Sequence, residues 1–341
     1  MTGLLMVVVL FLAVFAAAQI MRIYELSVKV RQEEEYVVTD KDNSNQGRLM
    51  LLFGIGLVVS FFWMVAAWDE LALPKPASLH GVQIDQLWDI SMGLIVVMFL
   101  IIQPILFWFS YKYRGNKANK ATFYAHNDKL ELIWTIVPAI ALAVLIIYGL
   151  TTWSNTMNPS TDEEPMVVEV YAQQFKWTAR YSGEDNTLGY ANIRLIQGAN
   201  TVGVDTNDAN SGDDFVATEI HLPVGKPVLF KFRSQDVIHS AYMPHFRAQM
   251  NCVPGMETHF QFTPTLTTAE IRQDPEVIAK VERINAIRSA KGQELYEYDY
   301  ILMCNKICGS AHYNMQMNIV VEAQADYDAW VKEQKTIAET L

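Results

Sequence analysis

The residues best able to do chemistry lie together near the C-terminus, in the stretch MCNKICGSAHYNM at 303–315. Cys304 and Cys308 stand four residues apart, His312 follows four residues later, and Met315 three residues after that. Thiolates and thioethers are soft ligands, and imidazole binds copper, zinc and iron alike. Zinc sites commonly use a CxxC pair and do not use a thioether. The set therefore favours copper.

A second histidine is needed to complete such a site, and His239 in DVIHS is the candidate because it follows a predicted strand containing Phe230 and Phe232. In a Greek-key barrel such a segment can lie beside the loop between the last two strands. A disulfide between Cys304 and Cys308 is the alternative, since neighbouring thiols can oxidise outside the cytoplasm. The histidine and methionine at fixed offsets favour the metal.

The first half of the chain predicts a membrane anchor. Four apolar runs each have about the 20 residues that a helix needs to cross ~30 Å of hydrocarbon. They are Thr2–Met21, Leu49–Trp68, Ile90–Tyr111 and Leu132–Leu150. The alanines at 16–18 resemble a signal-peptide cleavage region, but no basic residue precedes Arg22. A retained helix is therefore expected, which gives four transmembrane helices.

Charges in the connecting segments predict the orientation. Segments 22–48 and 112–130 each contain five Lys or Arg, whereas 69–89 contains only Lys75. The positive-inside rule places the first two in the cytoplasm, and the N-terminus and the C-terminal half outside. The chain has a net charge of −11, and nearly all of it lies after residue 150. This acidity excludes nucleic acid and favours a basic protein partner, unless it serves only solubility.

The C-terminal half has the composition of short strands, with β-branched and aromatic residues between turn residues, which favours a sandwich or a Greek-key barrel. The predicted strands are Met166–Tyr171, Thr218–Leu222, Pro227–Phe232, Thr258–Phe262, Tyr296–Met303 and Met317–Glu322. Gly198–Asp214 is predicted to be a loop. Thr268–Glu294 is predicted to be helical, with a start at Asp274-Pro275, and Ala325–Thr340 to be a further helix.

CNKICGSAHYNM resembles the binuclear copper motif of cytochrome c oxidase subunit II, C-x-E-x-C-G-x2-H-x2-M. Three further stretches agree with that family in order and spacing: ELIWTIVPA at 131–139, DVIHS at 236–240 and VPG at 253–255. YAQQFKW at 171–177 is similar to a diverged form of the family's aromatic strand. The resemblance extends over about residues 80–323.

The resemblance implies a division of the chain into a membrane part and an all-β cupredoxin-like Greek-key barrel. The expected parts are an extra N-terminal transmembrane pair at 1–70, a subunit II hairpin at 71–153, the copper domain at 154–323 with an insert at about 265–295, and a C-terminal helix at 324–341. The membrane is expected to be the bacterial inner membrane, with the copper domain on its periplasmic side.

The resemblance also implies a site and a function. Two copper ions would be bridged by the Cys304 and Cys308 thiolates. The other implied ligands are His239, His312, Met315 and the backbone carbonyl of Lys306. The domain would accept electrons from a cytochrome c and pass them to the haem- and copper-bearing subunit I, where oxygen is reduced to water and protons are pumped. Trp177 and Phe175 mark the region of electron entry, and Glu131 matches the mouth of a proton path.

Three residues depart from the family pattern. Lys306 replaces a glutamate whose carboxylate reaches a magnesium ion at the interface with subunit I, so that magnesium ligand is expected to be lost. Phe175 replaces the tryptophan of electron entry, and Asn251 replaces an aspartate of the docking face. Both changes favour a membrane-bound or tethered cytochrome donor.

Two other functions are compatible with parts of the sequence. A quinol oxidase subunit II would share the fold without the copper ligands, and a membrane-tethered copper carrier would not need Glu131. Cys252 is expected to be a small buried residue. The histidines at other positions are expected to be structural: His80, His126, His221, His245 and His259. Of these, His245 lies closest in sequence to His239.

Overall fold

The computed structural model describes residues 2–30, 38–68, 73–159 and 163–341. Contacts divide the chain into two compact units. One consists of residues 1–62 and 98–125, and the other of residues 63–97 and 126–341.

Four long helices occupy the N-terminal half: α1 (Thr2–Val30), α2 (Asp40–Trp68), α3 (Leu79–Lys112) and α4 (Asp128–Met157). Within the described residues, α2, α3 and α4 are long and apolar enough to cross a membrane. This is one span fewer than the four predicted. Helix α1 is present, but the side chains of most of its first ten residues lie outside the described part, so its span stays a prediction.

In the first unit, α2 and the second half of α3 pack closely at Gly54. A Cβ atom at this position would lie 2.5 Å from the Phe107 ring, so only glycine allows this approach. Phe53 adds an edge-to-face contact with Phe107, with ring centroids 5.5 Å apart. Helix α2 therefore packs closely against α3 at this point.

Helix α4 begins before its apolar run. The Asn127 side chain caps it by accepting from the Leu130 amide, and Asp128 and Glu131 lie in the first turn, where carboxylates are favoured by the helix dipole.

The second unit contains a β-domain of ten strands. They are β1 (Met166–Gln173), β2 (Lys176–Tyr181), β3 (Phe215–Ala217), β4 (Ile220–Pro223), β5 (Val228–Ser234), β6 (His239–Met243), β7 (Ala248–Cys252), β8 (Thr258–Phe262), β9 (Tyr300–Cys304) and β10 (Gln316–Glu322). One sheet has the order β3-β2-β1-β5-β8, and the other β4-β10-β9-β6-β7. Their inner faces bury a common core that includes Phe230, Phe232, Leu222 and Leu302. The predicted fold class, membrane helices followed by a cupredoxin-like all-β domain with a helical insert, is confirmed.

Several predicted element bounds were wrong. The predicted strand Thr218–Leu222 begins only at Ile220, as β4, because the two residues before it form the bend between β3 and β4, which belong to different sheets. The predicted strand Tyr296–Met303 begins only at Tyr300. The Asn285 side chain holds the Tyr296 backbone outside the sheet, because its Nδ2 atom donates to the Tyr296 carbonyl and its Oδ1 atom accepts from the Tyr296 amide. Strands β2, β3, β6 and β7 were not predicted; β3 is only three residues long, and polar residues in the other three weaken the alternation that identifies a strand.

The predicted helix Thr268–Glu294 is two helices, α5 (Thr268–Ile271) and α6 (Pro275–Ala290). Asp274 caps α6 by accepting from the Glu276 amide, and Pro275 opens it as predicted. The predicted C-terminal helix is also two, α7 (Gln324–Glu333) and α8 (Ile337–Thr340). Thr336 and Glu339 form a capping box that starts the second one afresh.

Candidate metal centre

Two neighbouring strands bring the predicted ligands together. Strand β9 ends at Cys304, and the loop that follows it carries the other ligands of the motif. Strand β6 begins at His239 and pairs antiparallel with β9, with Ala241 opposite Cys304. This register places the His239 Nδ1 atom 3.8 Å from the Cys304 Sγ atom. Two residues 65 positions apart thus meet at one end of the sheet.

The two thiols of the motif are free and close to each other. Their Sγ atoms are 3.8 Å apart, far beyond the roughly 2.05 Å of a disulfide, and all three cysteines are unpaired. The disulfide alternative is therefore not the state of this structure. The ligand atoms of His239, Cys304 and Cys308 all lie within 4.8 Å of one another, as in a metal site.

The remaining predicted ligands surround this group. The Cys308 Sγ atom lies 3.6 Å from His312 Nδ1 and 3.8 Å from Met315 Sδ. The Cys304 Sγ atom lies 3.2 Å from the Lys306 carbonyl oxygen. All six predicted ligand groups therefore converge on one small volume.

The centre is dry. His239 is completely buried, and the exposed fractions of Cys308 and Met315 are 5% and 2%. Burial, together with the neighbouring Cys304, raises the pKa of the Cys308 thiol to about 11. The thiol is therefore protonated at neutral pH in the absence of a metal, and a metal that binds here must displace the proton.

Asp236 orients the His239 ring. Its Oδ1 atom lies 2.8 Å from His239 Nε2, which leaves Nδ1 directed at the thiol. Burial alone would raise the pKa of Asp236, but hydrogen bonds from the Gln174 amide and from His239 hold it below its usual value. A carboxylate that accepts from the second ring nitrogen is the usual support of a metal-binding histidine. In the sequence, this support is indicated only by the spacing of three residues between Asp236 and His239 in DVIH, which the prediction did not use.

Gln174 was not predicted at all, and nothing in its sequence context distinguishes it. Its backbone amide donates to Asp236 Oδ2 at 2.7 Å, and its side-chain Nε2 donates to the Cys308 carbonyl at 2.5 Å. One residue of the loop between β1 and β2 thus binds both the support of His239 and the backbone of the ligand loop.

The two aromatic residues predicted for electron entry pack against the ligand loop. Trp177 is buried, its Nε1 atom donates to the Met315 carbonyl at 3.3 Å, and its ring lies 6.0 Å from that of His239. Phe175 lies over Gly309, where an added Cβ atom would be 2.7 Å from the Phe175 ring and where φ is +144°. Glycine is therefore required at this position of the motif.

The Lys306 side chain is exposed, whereas its carbonyl faces Cys304. Any side chain at this position could leave the carbonyl in place. The neighbouring Ile307 and Tyr313 are also exposed, by 85% and 88%. The backbone and ligand side chains of the loop thus face the centre, and the other side chains face outward.

The other residues singled out in the sequence lie elsewhere. Glu131 is exposed in the first turn of α4, and Asn251 is exposed on β7. Cys252 is buried, as predicted, and burial raises the pKa of its thiol to about 12. His245 is buried against Tyr298 and Tyr300 and does not join the ligand group.

The donor set fits copper. It offers two thiolates, two imidazoles, a thioether and a carbonyl, which suit a soft transition metal and not magnesium or calcium.

A family model described as cytochrome c oxidase subunit II, transmembrane domain, matches residues 66–152. The chain is 28% identical over 292 residues to the alternative cytochrome c oxidase subunit 2 of Bradyrhizobium diazoefficiens, which covers 85% of this chain and 92% of that protein. It is 24% identical over 313 residues to cytochrome c oxidase subunit 2 of Thermostichus vulcanus, which covers 84% of this chain and 85% of that protein.

A probable quinol oxidase subunit 2 of Staphylococcus aureus is also similar, with 24% identity over 71% of this chain and 50% of that protein. Similarity along the chain therefore does not by itself decide which donor is used, and the ligand residues must do so. Residues 66–152 match the transmembrane domain of cytochrome c oxidase subunit II, and over most of its length the chain is similar to proteins of that name, as the motif predicted.

Proposed function

We propose that this chain is the electron-accepting subunit II of a respiratory cytochrome c oxidase in a bacterial inner membrane. It takes electrons from a c-type cytochrome on the periplasmic side and delivers them to a haem- and copper-bearing subunit I, which reduces oxygen to water and pumps protons. The observation that carries this proposal is the convergence of five soft or borderline side-chain ligands and one backbone carbonyl, with the Cys304–Cys308 pair at their centre.

The thiolates of Cys304 and Cys308, with the other four ligand groups, would hold copper, and the copper would supply reversible one-electron transfer at this site. Residues around the site hold the ligands in position. Asp236 fixes the ring of His239, Gln174 fixes the loop through the Cys308 carbonyl, and Trp177 fixes Met315. A preorganised set of this kind keeps its geometry in both redox states.

Two alternatives differ from this proposal in their ligands. A quinol oxidase subunit would have no use for buried free thiols beside His239 and Met315, yet all of them are in place. A copper carrier would bind a single ion and would have to release it, whereas His239, Cys304, Cys308 and Met315 are buried, and hydrogen bonds support His239 and the backbone of the ligand loop. The transmembrane domain at 66–152 also exceeds what a tether needs.

The test is the metal content and electron spin resonance of the full-length protein purified from membranes. We expect two coppers per chain and the hyperfine pattern of one electron shared equally by two copper nuclei. Replacement of Cys308 by serine should abolish that pattern, whereas replacement of Cys252 by serine should leave it. One copper per chain with a mononuclear spectrum would support the carrier, and no copper would support the quinol oxidase.

The position of Lys306 leads to a second part of the proposal. An ammonium group cannot ligate a cation, so we infer that this subunit provides no magnesium ligand here and that the exposed Lys306 side chain supplies a fixed positive charge instead. A Lys306→Glu variant should then bind manganese in the assembled oxidase, detected by its spin resonance, and the unmodified protein should not. Manganese coordinated by the unmodified chain at this loop would contradict the inference.

We also infer that the donor is a membrane-bound or tethered cytochrome, because Phe175 and Asn251 replace residues of the family's entry and docking regions. The domain after residue 150 remains acidic, so a diffusing basic cytochrome is the competing donor. Turnover with a small soluble basic cytochrome should be slow and weakly dependent on salt. Fast turnover that falls steeply with ionic strength would identify the soluble donor instead.

A further inference from the structure

The turn between β6 and β7, Pro244–Arg247, is held by the segment Pro74–Leu79 that leads into α3. We call these the β6–β7 turn and the α3 lead-in. Both belong to the second compact unit. The β6–β7 turn follows the strand that begins with His239, and the α3 lead-in directly precedes a membrane helix.

Hydrogen bonds to two main-chain carbonyls of the β6–β7 turn join the two segments. The Ala77 amide donates to the His245 carbonyl at 2.7 Å, and the Ser78 hydroxyl donates to the Phe246 carbonyl at 2.8 Å. Ala77 and Ser78 are completely buried. The middle of the α3 lead-in is therefore part of the β-domain's interior.

The other side of the α3 lead-in contacts the chain that follows β8. The Thr265 amide donates to the Ala77 carbonyl at 2.8 Å, and the Leu79 amide donates to the Thr263 carbonyl at 3.1 Å. Ser78 pairs with Pro264 as an isolated bridge. The α3 lead-in is thus inserted between two loops of the β-domain.

Arg247 links the β6–β7 turn to both the α3 lead-in and α3 itself. Its Nε and Nη2 atoms donate to the two carboxylate oxygens of Asp85, at 2.7 and 2.8 Å. It also donates to the Pro244 and Pro74 carbonyls, each at 2.6 Å. Its backbone has a φ of +51°, an unusual value for a residue with a side chain. The side chains of Arg247 and Asp85 are 8% and 23% exposed, so the pair is partly buried, and bidentate pairs of this kind are specific in geometry.

The pair acts at the opposite end of β6 from His239. Four residue steps separate His239 from Met243, which is roughly 13 Å of strand. If the β6–β7 turn moved relative to α3, a rotation of about 5° would displace the His239 end by about 1 Å over that length. Displacements of this size can slow a reaction by up to about 10²-fold.

We propose that Arg247 and Asp85 are a positioning pair that fixes the metal-binding domain on the outer end of α3 and so sets the orientation of the metal site toward its electron acceptor. The proposal rests on the function proposed above. The pair touches no ligand, so its loss leaves the ligand geometry intact and changes only how the domain is held.

The test uses the assembled oxidase with Asp85→Asn, Asp85→Glu and the control Asp89→Asn, which makes the same change at an exposed position one turn along α3. For Asp85→Asn we expect the same copper content and spectrum and the same rate of reduction by the donor, but roughly tenfold slower transfer onward to the haem. Asp85→Glu should restore most of that rate, since it keeps the carboxylate. Asp89→Asn should match the unmodified protein.

Hydrogen exchange gives a readout that needs no copper. The Ala77 and Leu79 amides should exchange faster in Asp85→Asn, and the Cys304 amide should not. Equal exchange and equal onward transfer in Asp85→Asn and Asp89→Asn would overturn the proposal. So would loss of copper from both Asp85 variants, because the pair would then maintain the fold. If the unmodified protein held no copper, the function proposed above would fail, while the exchange data would still decide whether the pair holds the domain.

Discussion

Asp236 is the support of His239, and its replacement by asparagine is a sharp test of the metal centre. Its Oδ1 atom receives the Val237 amide at 2.7 Å and faces His239 Nε2 at 2.8 Å. Its Oδ2 atom receives the Gln174 amide at 2.7 Å. Three donors therefore share two acceptor oxygens.

Asparagine keeps one of these oxygens and places an NH₂ group at the other. In either orientation of the amide, at least one of the three donors then faces another donor. An oxygen at the Oδ1 position leaves the Gln174 amide without an acceptor, and an oxygen at the Oδ2 position leaves both the Val237 amide and His239 without one. Either orientation therefore weakens the support of His239, through the Gln174 loop or directly. Removing such a partner of a metal-binding histidine costs about 10–100-fold in metal affinity, which corresponds to about 1.4–2.7 kcal/mol.

The assay is competition for copper between the membrane-purified protein and a chelator of known affinity, at one pH and salt concentration. Asp213→Asn is the matched control, because the Asp213 carboxylate also receives two backbone amides, at 2.7 and 3.1 Å, but from Glu184 and Asp185. Copper affinity should fall only in the Asp236 variant. An unchanged affinity in that variant, with its fold intact, would refute the view that the carboxylate orients His239.

Three further outcomes are expected. Gly309→Ala should lose copper and about 1–3 kcal/mol of stability, because a Cβ atom there meets Phe175 at a strained φ; chelator competition and denaturant unfolding measure both, and full copper loading would contradict the packing argument. Burial raises the pKa of Asp214 to about 7 despite Arg180, against 3.8 unperturbed, so the folded state holds this proton more tightly. Its contribution to stability is complete below about pH 4 and lost as pH rises through about 7, and Asp214→Asn should remove that decline. Thermal unfolding at about pH 5 and about pH 8 measures the difference, and an equal pH slope in both proteins would refute it. Glu131→Gln should slow reduction of the haem–copper centre of subunit I in stopped-flow spectra and leave reduction of this chain's copper unchanged; equal rates for the centre would remove Glu131 from the proton path.

Much of the candidate site could be predicted because most of its ligands are close in sequence. Cys304, Cys308, His312 and Met315 belong to one loop, so their spacing alone restricts the metal that they suit. The membrane helices were also predictable, since a long apolar run has few alternatives to a spanning helix. The fold class followed from the composition of the strands and from the family motif.

The element boundaries were less predictable, because contacts distant in sequence set them. The strand predicted at 218–222 starts two residues late because the chain bends there from one sheet to the other, and periodicity within a short stretch cannot show which sheet a residue joins. The Tyr296 backbone is held by a side chain of α6, which no local pattern indicates.

The chemistry of the site could be inferred from the sequence, because four of its side-chain ligands lie in one loop whose spacing restricts the metal. How those ligands are held became clear only from the fold. The register between β6 and β9 brings His239 to Cys304, and the loop after β1 brings Gln174 to Asp236 and Cys308. The tertiary structure also keeps the thiols of Cys304 and Cys308 apart and unpaired. These relations depend on pairings between distant segments, which burial and hydrogen bonding of the whole domain select together.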